Sequence, residues 1–219
     1  MTPDERLSEQ KSFARVKELI EKPVNGPFDA AHLQEIHRRI FQDSPQHRPG
    51  QFRTFTPAYI KMRCLESTGH RYRVTYAPAQ EMQTQLDQVL GALADAESWR
   101  GLNVEDFSRH MANLYGDLDY LHPFIEGNSR SLRVFTAQWA CTVGYQLHWG
   151  TASADAATRD RLYVARDLEV TARAFPGLDF ERASTTPNRA ECDAWLSFAS
   201  KYQHHESLAA LIQRFVQGV

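Results

Sequence analysis

No run in the 219 residues approaches the roughly 18 apolar positions of a membrane-crossing helix, and the N-terminus, MTPDERLSEQKSF, lacks the apolar core of a secretory leader. Membrane spanning and leader-directed secretion are therefore not expected; the expected compartment is a cytoplasm, the cell's own or another cell's after delivery. Cysteine is scarce. Cys64, Cys141 and Cys192 are odd in number and without metal-ligand spacing, so three free thiols in a reducing compartment are expected. Neither sign of charge dominates: 25 Lys and Arg stand against 27 Asp and Glu, a net charge of -2. That balance argues against direct nucleic-acid binding but leaves room for a local basic pocket. Lysine is rare too, at Lys11, Lys17, Lys22, Lys61 and Lys201; the other basic residues are arginines, which suit bidentate contacts to phosphate or carboxylate. GxxxxGK[ST] and GxGxxG are both missing, which removes support for P-loop and Rossmann nucleotide binding. There is no internal repeat or low-complexity tract. His32 and His37, five apart, and the adjacent His204-His205 are poorly spaced for one helical face, so no zinc site is expected.

What remains is an ordinary globular composition, 42% hydrophobic and 24% charged, long enough to bury a core without staples. Periodicity predicts a helix over Leu7–Lys22 with Phe13, Val16, Leu19 and Ile20 inward, stopped by Pro23. A second starts at the cap Asp29 and buries Leu33, Ile36, His37, Ile40 and Phe41. The period then changes: Thr54–Lys61 and Arg71–Tyr76 favour strands around a turn near Ser67-Thr68-Gly69, a hairpin expected to lie against the helical body. Helices return at Ala79–Trp99 and Val104–Leu121, then from Asn128, with Leu132, Phe135, Trp139, Val143 and Leu147 on one face. Others are expected near Ala154–Phe175, Arg189–Tyr202 and Ser207–Val216. The predicted fold is mostly α, a helical bundle with one β-hairpin.

One segment concentrates chemistry: His122-Pro-Phe-Ile-Glu126-Gly127-Asn128-Ser129-Arg130, followed by Arg133. Gly127 permits close approach of the backbone to a ligand, and Asn128 is a good helix cap. The free N–H groups of Ser129, Arg130 and their neighbours would then form an anion site suited to phosphate. Arg130 and Arg133 share a face and add charge-assisted bonds. Glu126 beside a polyphosphate is a fit ligand for Mg²⁺, and His122 is placed to accept a proton from a hydroxyl. Any one of these residues alone is most simply a structural or solvated residue; their clustering points to nucleotidyl or phosphoryl transfer. Phe124 reads as a core anchor, and Tyr115, Tyr120, Trp139 and Trp149 as core.

HPFIEGNSRxxR resembles the Fic-domain signature HPFx(D/E)GN(G/K)RxxR, and IHRRIFQD…PGQFR and RVFTAQWACTVGYQLHW are also Fic-like. The resemblance covers about residues 29–150 and is greatest to short bacterial Fic toxins of toxin–antitoxin modules. It implies a single Fic domain over 1–219 with C-terminal helices at about 154–216, and transfer of AMP from ATP to a hydroxyl of a target protein. Carried over, His122 would be the general base and Glu126 the Mg²⁺ ligand. Gly127, Asn128 and Ser129 would form the anion nest, Asn128 near the α-phosphate, and Arg130 and Arg133 would grip the β- and γ-phosphates. The hairpin would be the flap that docks the target by strand addition, with Thr54, Tyr59, Tyr72 and Val74 as docking residues. By the same analogy the targets would be topoisomerase subunits.

Ser129 stands where the family has Gly or Lys. Relatives that transfer phosphate carry Lys there and alter the preceding Gly, so AMP transfer is favoured over phosphorylation. Arg48 and Pro49 replace a common Trp-Ala. The family's inhibitory pattern (S/T)xxxE(G/N) is missing, since no Ser or Thr has Glu four residues later. A separate small antitoxin is therefore the expected inhibitor. Transfer of UMP, phosphate or phosphocholine, and a non-catalytic binding module, are the alternatives.

Overall fold

The computed structural model describes residues 3–54, 59–150 and 155–218. Its centre is α4 (Val104–Leu121), whose Phe107, Met111, Leu114, Leu118 and Leu121 are all buried. Asn103 starts this helix by accepting the Asp106 N–H at 2.8 Å, a cap stabilising by about 1 kcal/mol. Around it pack α3 (Ala79–Gly91), α5 (Asn128–Thr142), α6 (Ala156–Ala174) and α10 (Leu208–Phe215). α2 (Ala30–Phe41) lies on α5 with Leu33, Ile36, His37, Ile40 and Phe41 buried as the spacing predicted, and Asp29 caps it through the His32 N–H at 2.9 Å. α1 (Pro3–Glu21) covers α2 and α5.

The hairpin forms from β1 (Tyr59–Cys64) and β2 (Arg71–Tyr76), antiparallel with Tyr59 opposite Tyr76 and Cys64 opposite Arg71. An isolated hairpin is marginal, and α6 supplies what it needs. Tyr72, Val74 and Tyr76 are buried against Val164, Val170 and Phe198. Asp167 of α6 accepts from Arg63 Nε at 2.8 Å and from the Tyr72 hydroxyl at 2.8 Å. Asp160, two turns earlier, accepts the Glu66 and Ser67 N–H groups and fixes the turn. The rest of the chain comprises α7 (Phe180–Thr185), then α8 (Arg189–Ala194) running through a π turn at Trp195–Ala199 into α9 (Ser200–Tyr202).

Several expectations are corrected. Phe13 and Ile20 of α1 face solvent, while Ser12 and Leu19 turn inward. α3 ends at Gly91 and continues only as 3₁₀ turns to Trp99. α5 stops at Thr142, and β3 (Tyr145–Leu147) follows and pairs with β4 (Val216–Gly218), a second strand pair that the apolar spacing of Val143 and Leu147 disguised as helix. β1 starts at Tyr59, later than Thr54, and residues 55–58 of the expected strand lie outside the described residues. Tyr115, Trp139 and Trp149 are core as expected, Tyr120 only half-buried. Cys64, Cys141 and Cys192 are free thiols. No helix among the described residues is long and apolar enough to cross a membrane.

Candidate active site

His122 terminates α4 in the left-handed region, with φ 46° and ψ 60°. A residue other than glycine is held there only by its surroundings, at a cost of about 1–2 kcal/mol. Arg53 provides much of that hold. Its buried guanidinium donates to the carbonyls of His122 at 2.8 Å and Leu121 at 2.9 Å, and also to that of Ala77 after β2. The Arg53 N–H donates to Pro123 O at 2.8 Å. The sharp turn of the chain at His122 is thus fixed from outside α4, by the segment leading into the hairpin.

The loop that follows is locked from within. Phe124 is fully buried and stacks on His37 with ring centroids 3.8 Å apart. Asn128 clasps the loop: its Oδ1 accepts the Phe124 N–H at 2.9 Å and its Nδ2 donates to Phe124 O at 2.7 Å. Asn128 was expected to cap the helix. The cap position belongs instead to Gly127, and Asn128 is the first residue of α5 with its side chain turned back into the loop. Gly127 has φ 82°, and a Cβ there would lie 2.2 Å from the Phe41 ring, so conformation and space both demand glycine. His37 takes the Gly50 N–H on Nδ1 at 2.9 Å, so its Nε2 carries the proton and donates to Glu126 O at 3.0 Å. Burial lowers the His37 pKa to about 4, consistent with a neutral ring.

At the start of α5 the N–H groups of Asn128, Ser129 and Arg130 precede the first intrahelical bond, Ser131 N–H to Gly127 O at 3.1 Å. These are the unpaired donors of a helix N-terminus. The side chains of Ser129, Arg130 and Arg133 belong to the same first turns. Ser129 Oγ accepts from Arg166 of α6 at 3.1 Å. Arg130 donates to the buried hydroxyl of Ser12 on α1 rather than to a carboxylate and lies 5.2 Å over the Phe41 ring. Arg133 lies 6.0 Å over Trp149. Burial lowers the pKa of both arginines. Two desolvated cations beside a helix N-terminus are an electrostatic cradle for a polyanion.

The His122 ring is buried, 3.9 Å from the Tyr76 ring and 5.5 Å from that of Tyr59. Burial first, and then the positive charges of Lys61, Arg166, Arg53 and Arg63, hold its pKa well below 6.5. The imidazole is therefore unprotonated at neutral pH and able to accept a proton. Glu126 is exposed, and its carboxylate meets Lys61 Nζ at 3.1 Å; Lys61 and the Tyr59 hydroxyl both donate to Ile125 O, at 3.0 and 2.6 Å. An accessible carboxylate beside a polyphosphate cradle fits Mg²⁺, which keeps several waters and takes one or two carboxylates. No group of three or more His, Cys, Asp or Glu side chains able to hold a metal occurs among the described residues.

Of the four hairpin residues expected to dock a target, Thr54 is exposed and Tyr59 is engaged with the loop. Tyr72 and Val74 are 2% and 1% exposed and face α6 and the π turn, so they serve the core and cannot meet a partner. The outward side chains of β1 are Ile60, Met62 and Cys64. Sequence reasoning missed Arg53, Lys61, Arg166 and Ser12 as neighbours of the site. Lys61, a rare lysine in an alternating strand, offered a signal, and Arg53 closes the Fic-like PGQFR segment.

Residues 27–140, just over half the chain, match the Fic/DOC family. Two relatives from Bartonella are named protein adenylyltransferases. The chain is 28% identical to "Protein adenylyltransferase VbhT" of Bartonella schoenbuchensis over 155 residues, 71% of this chain and 30% of that one. It is 30% identical to a protein adenylyltransferase of Bartonella henselae over 167 residues, 74% and 29%. The chain thus spans under a third of these relatives' length. Among solved structures, BepC of Bartonella tribocorum with bound AMPPNP superposes with a TM-score of 0.66 at 17% identity, covering 100% of this chain and 89% of that one. The N-terminal Fic domain of a Bartonella quintana effector with bound ADP gives 0.63 at 20% identity, with 99% and 87% covered. With the family match spanning more than half of the chain and the whole of the loop, and the fold shared with these structures, the chain belongs to the Fic/DOC family.

Proposed function

We propose that this chain is a protein adenylyltransferase whose single Fic domain, residues 1–219, transfers AMP from ATP to a hydroxyl side chain of a target protein. The observation that carries the reading is a buried imidazole, His122, on the same hydrogen-bonded loop as a polyanion cradle. In the reaction the target hydroxyl oxygen bonds to the α-phosphorus, the P–O bond to the β-phosphate breaks, and the hydroxyl proton passes to His122. Asn128 keeps the loop folded and reaches the α-phosphate only through the backbone of its turn. The α5 N-terminus with Ser129 holds the phosphates next to the cleaved bond, and Arg130 and Arg133 hold the rest of the polyphosphate. Glu126 would hold Mg²⁺, which would neutralise charge on the polyphosphate. Arg130 donates to the neutral hydroxyl of Ser12, a weaker partner than the phosphate oxygens to which it would make charge-assisted bonds.

The target extends the hairpin along β1, meeting Ile60 and Met62. By family analogy it is a topoisomerase subunit, in a cytoplasm. By the same analogy the inhibitor is a separate small antitoxin. The test is incubation with Mg²⁺ and ATP labelled at the α-phosphate, with cell lysate and purified topoisomerase subunits, beside a His122→Ala variant. Label on a protein band that the variant loses supports the reading. No label from the α-phosphate, with transfer from UTP or γ-labelled ATP instead, replaces it by another Fic chemistry, and no transfer at all leaves a binding module.

A further inference from the structure

The reactivity of His122 depends on which ring nitrogen carries its proton, and the buried end of α4 offers one determinant. Asp119 lies one turn earlier on α4, wholly buried, with Oδ1 3.9 Å from His122 Nδ1. Neither ring nitrogen has a hydrogen-bond partner among the described residues. The groups around the ring are Lys61, Arg63 and Tyr59 of β1, Tyr76 of β2, Arg53 of the preceding segment, and Arg166 of α6 with Asp167 beyond it. Of the carboxylates among these, Asp167 is occupied by the hairpin, through Arg63 and Tyr72. Among the described residues, Asp119 alone stands at ion-pair distance from the imidazole. The gap exceeds a hydrogen bond by about 1 Å, as catalytic hydrogen bonds commonly do before substrate binds.

Asp119 is itself clamped. Arg166 donates Nε at 3.1 Å to Oδ2, and Nη2 at 2.9 Å to both carboxylate oxygens, and its Nη1 reaches Ser129 Oγ at 3.1 Å. One guanidinium from α6, beyond the residues that match the family, joins the neighbour of the base to the wall of the anion cradle. A buried ion pair is weak evidence for stability, since an apolar pair of equal volume does as well or better. Its placement against His122 suggests chemistry.

We propose that Asp119, held by Arg166, is a positioning residue for the transfer reaction: it selects the His122 tautomer with the proton on Nδ1 and leaves Nε2 as the atom that takes the proton. This rests on the adenylyltransfer reading for its consequence but not for its test. When the hydroxyl attacks, its O–H bond breaks and the proton goes to Nε2. The oxygen's electron pair forms the bond to the α-phosphorus, and the pair of the broken P–O bond leaves on pyrophosphate. The resulting imidazolium holds protons on both nitrogens, and Asp119 accepts the one on Nδ1. Arg166 shares the carboxylate's charge, so Asp119 orients the ring without making it cationic in the resting protein. Without Arg166 the same carboxylate stands uncompensated beside the imidazole and raises its proton affinity.

The test is ring-¹⁵N NMR of the histidine-labelled chain without nucleotide or target, with His122 assigned through His122→Gln. The expected wild-type state is the neutral ring protonated on Nδ1, changing to the Nε2-protonated form in Asp119→Asn, whose amide can donate to Nδ1. Arg166→Met should raise the pH at which His122 titrates, and Arg166→Lys should restore most of it. Where transfer is measurable, Asp119→Asn should lower kcat about 10²-fold with little change in KM. If the single variants unfold, the apolar pair Asp119→Leu/Arg166→Leu keeps the volume filled, and loss of the tautomer preference there supports the proposal equally. A wild-type ring protonated on Nε2, or an unchanged tautomer in a folded Asp119 variant, overturns it. Failure of AMP transfer with the tautomer as expected would overturn the proposed activity and leave the positioning intact.

Discussion

Gly127→Ala is the most demanding substitution the loop permits, because two separate penalties meet at one atom. The backbone at φ 82° costs a residue with a Cβ about 1–2 kcal/mol. The new methyl would lie 2.2 and 2.3 Å from two carbons of the Phe41 ring, and Phe41 is fixed by His47, stacked at 4.6 Å, and by His37 at 4.8 Å. Overpacking of that kind costs about 1–3 kcal/mol. The sum is about 3 kcal/mol, or roughly 6–12 °C in the melting temperature of a protein this size. Because the same turn aims the α5 N–H groups, ATP binding measured calorimetrically should also fall, by about tenfold or more. Trimming the ring separates the two penalties: in a double-mutant cycle, Phe41→Leu should recover about 1–2 kcal/mol of the Gly127→Ala loss. A Gly127→Ala protein melting within about 2 °C of wild type and binding ATP normally would refute the reasoning, as would strict additivity with Phe41→Leu.

Three further outcomes are expected. Arg53→Met leaves the carbonyls of Leu121, His122 and Ala77 without their buried donor and should cost about 3 kcal/mol in urea unfolding, with ATP binding weakened through the misplaced loop. His37 has its pKa lowered in the folded state to about 4, so the unfolded chain binds more protons between that value and 6.5. Its contribution is present above pH 6.5 and lost as pH falls toward 4, about 3 kcal/mol at most, and the pH dependence of thermal stability should flatten in His37→Gln. Glu126→Gln should abolish the strengthening of ATP binding by Mg²⁺, while metal-free ATP binds about as well or slightly better; an undiminished Mg²⁺ effect would remove Glu126 as the ligand.

The elements nearest the chemistry were the most legible. α4 runs over Val104–Leu121 as its apolar spacing required, and Asp29 caps α2 as expected. Gly127 was legible as a turn, though its reason, the Phe41 ring, lies on another helix. Asn128 was misread because a cap and a loop clasp look alike in sequence; only the distance to Phe124 separates them. Tyr72 and Val74 alternated correctly, but alternation cannot say which face of a strand is covered, and α6 covers theirs. The same limit hid α1, where a weak amphipathic pattern let the small polar Ser12 take the buried face while Phe13 faces water. The roles of Arg53 and Arg166 were not legible, because a buried guanidinium that serves distant backbone carbonyls or a distant carboxylate leaves no local pattern of its own.

The central claim is that the loop's base and cradle deliver an adenylyl group. Its most direct measurement is mass spectrometry of a target protein after incubation with the chain, Mg²⁺ and ATP. The expected product is a hydroxyl residue carrying a whole AMP group, releasing adenine on fragmentation, with no such product from the His122→Ala protein. A target carrying phosphate alone, or the same adenylylated product formed equally well without His122, would contradict it.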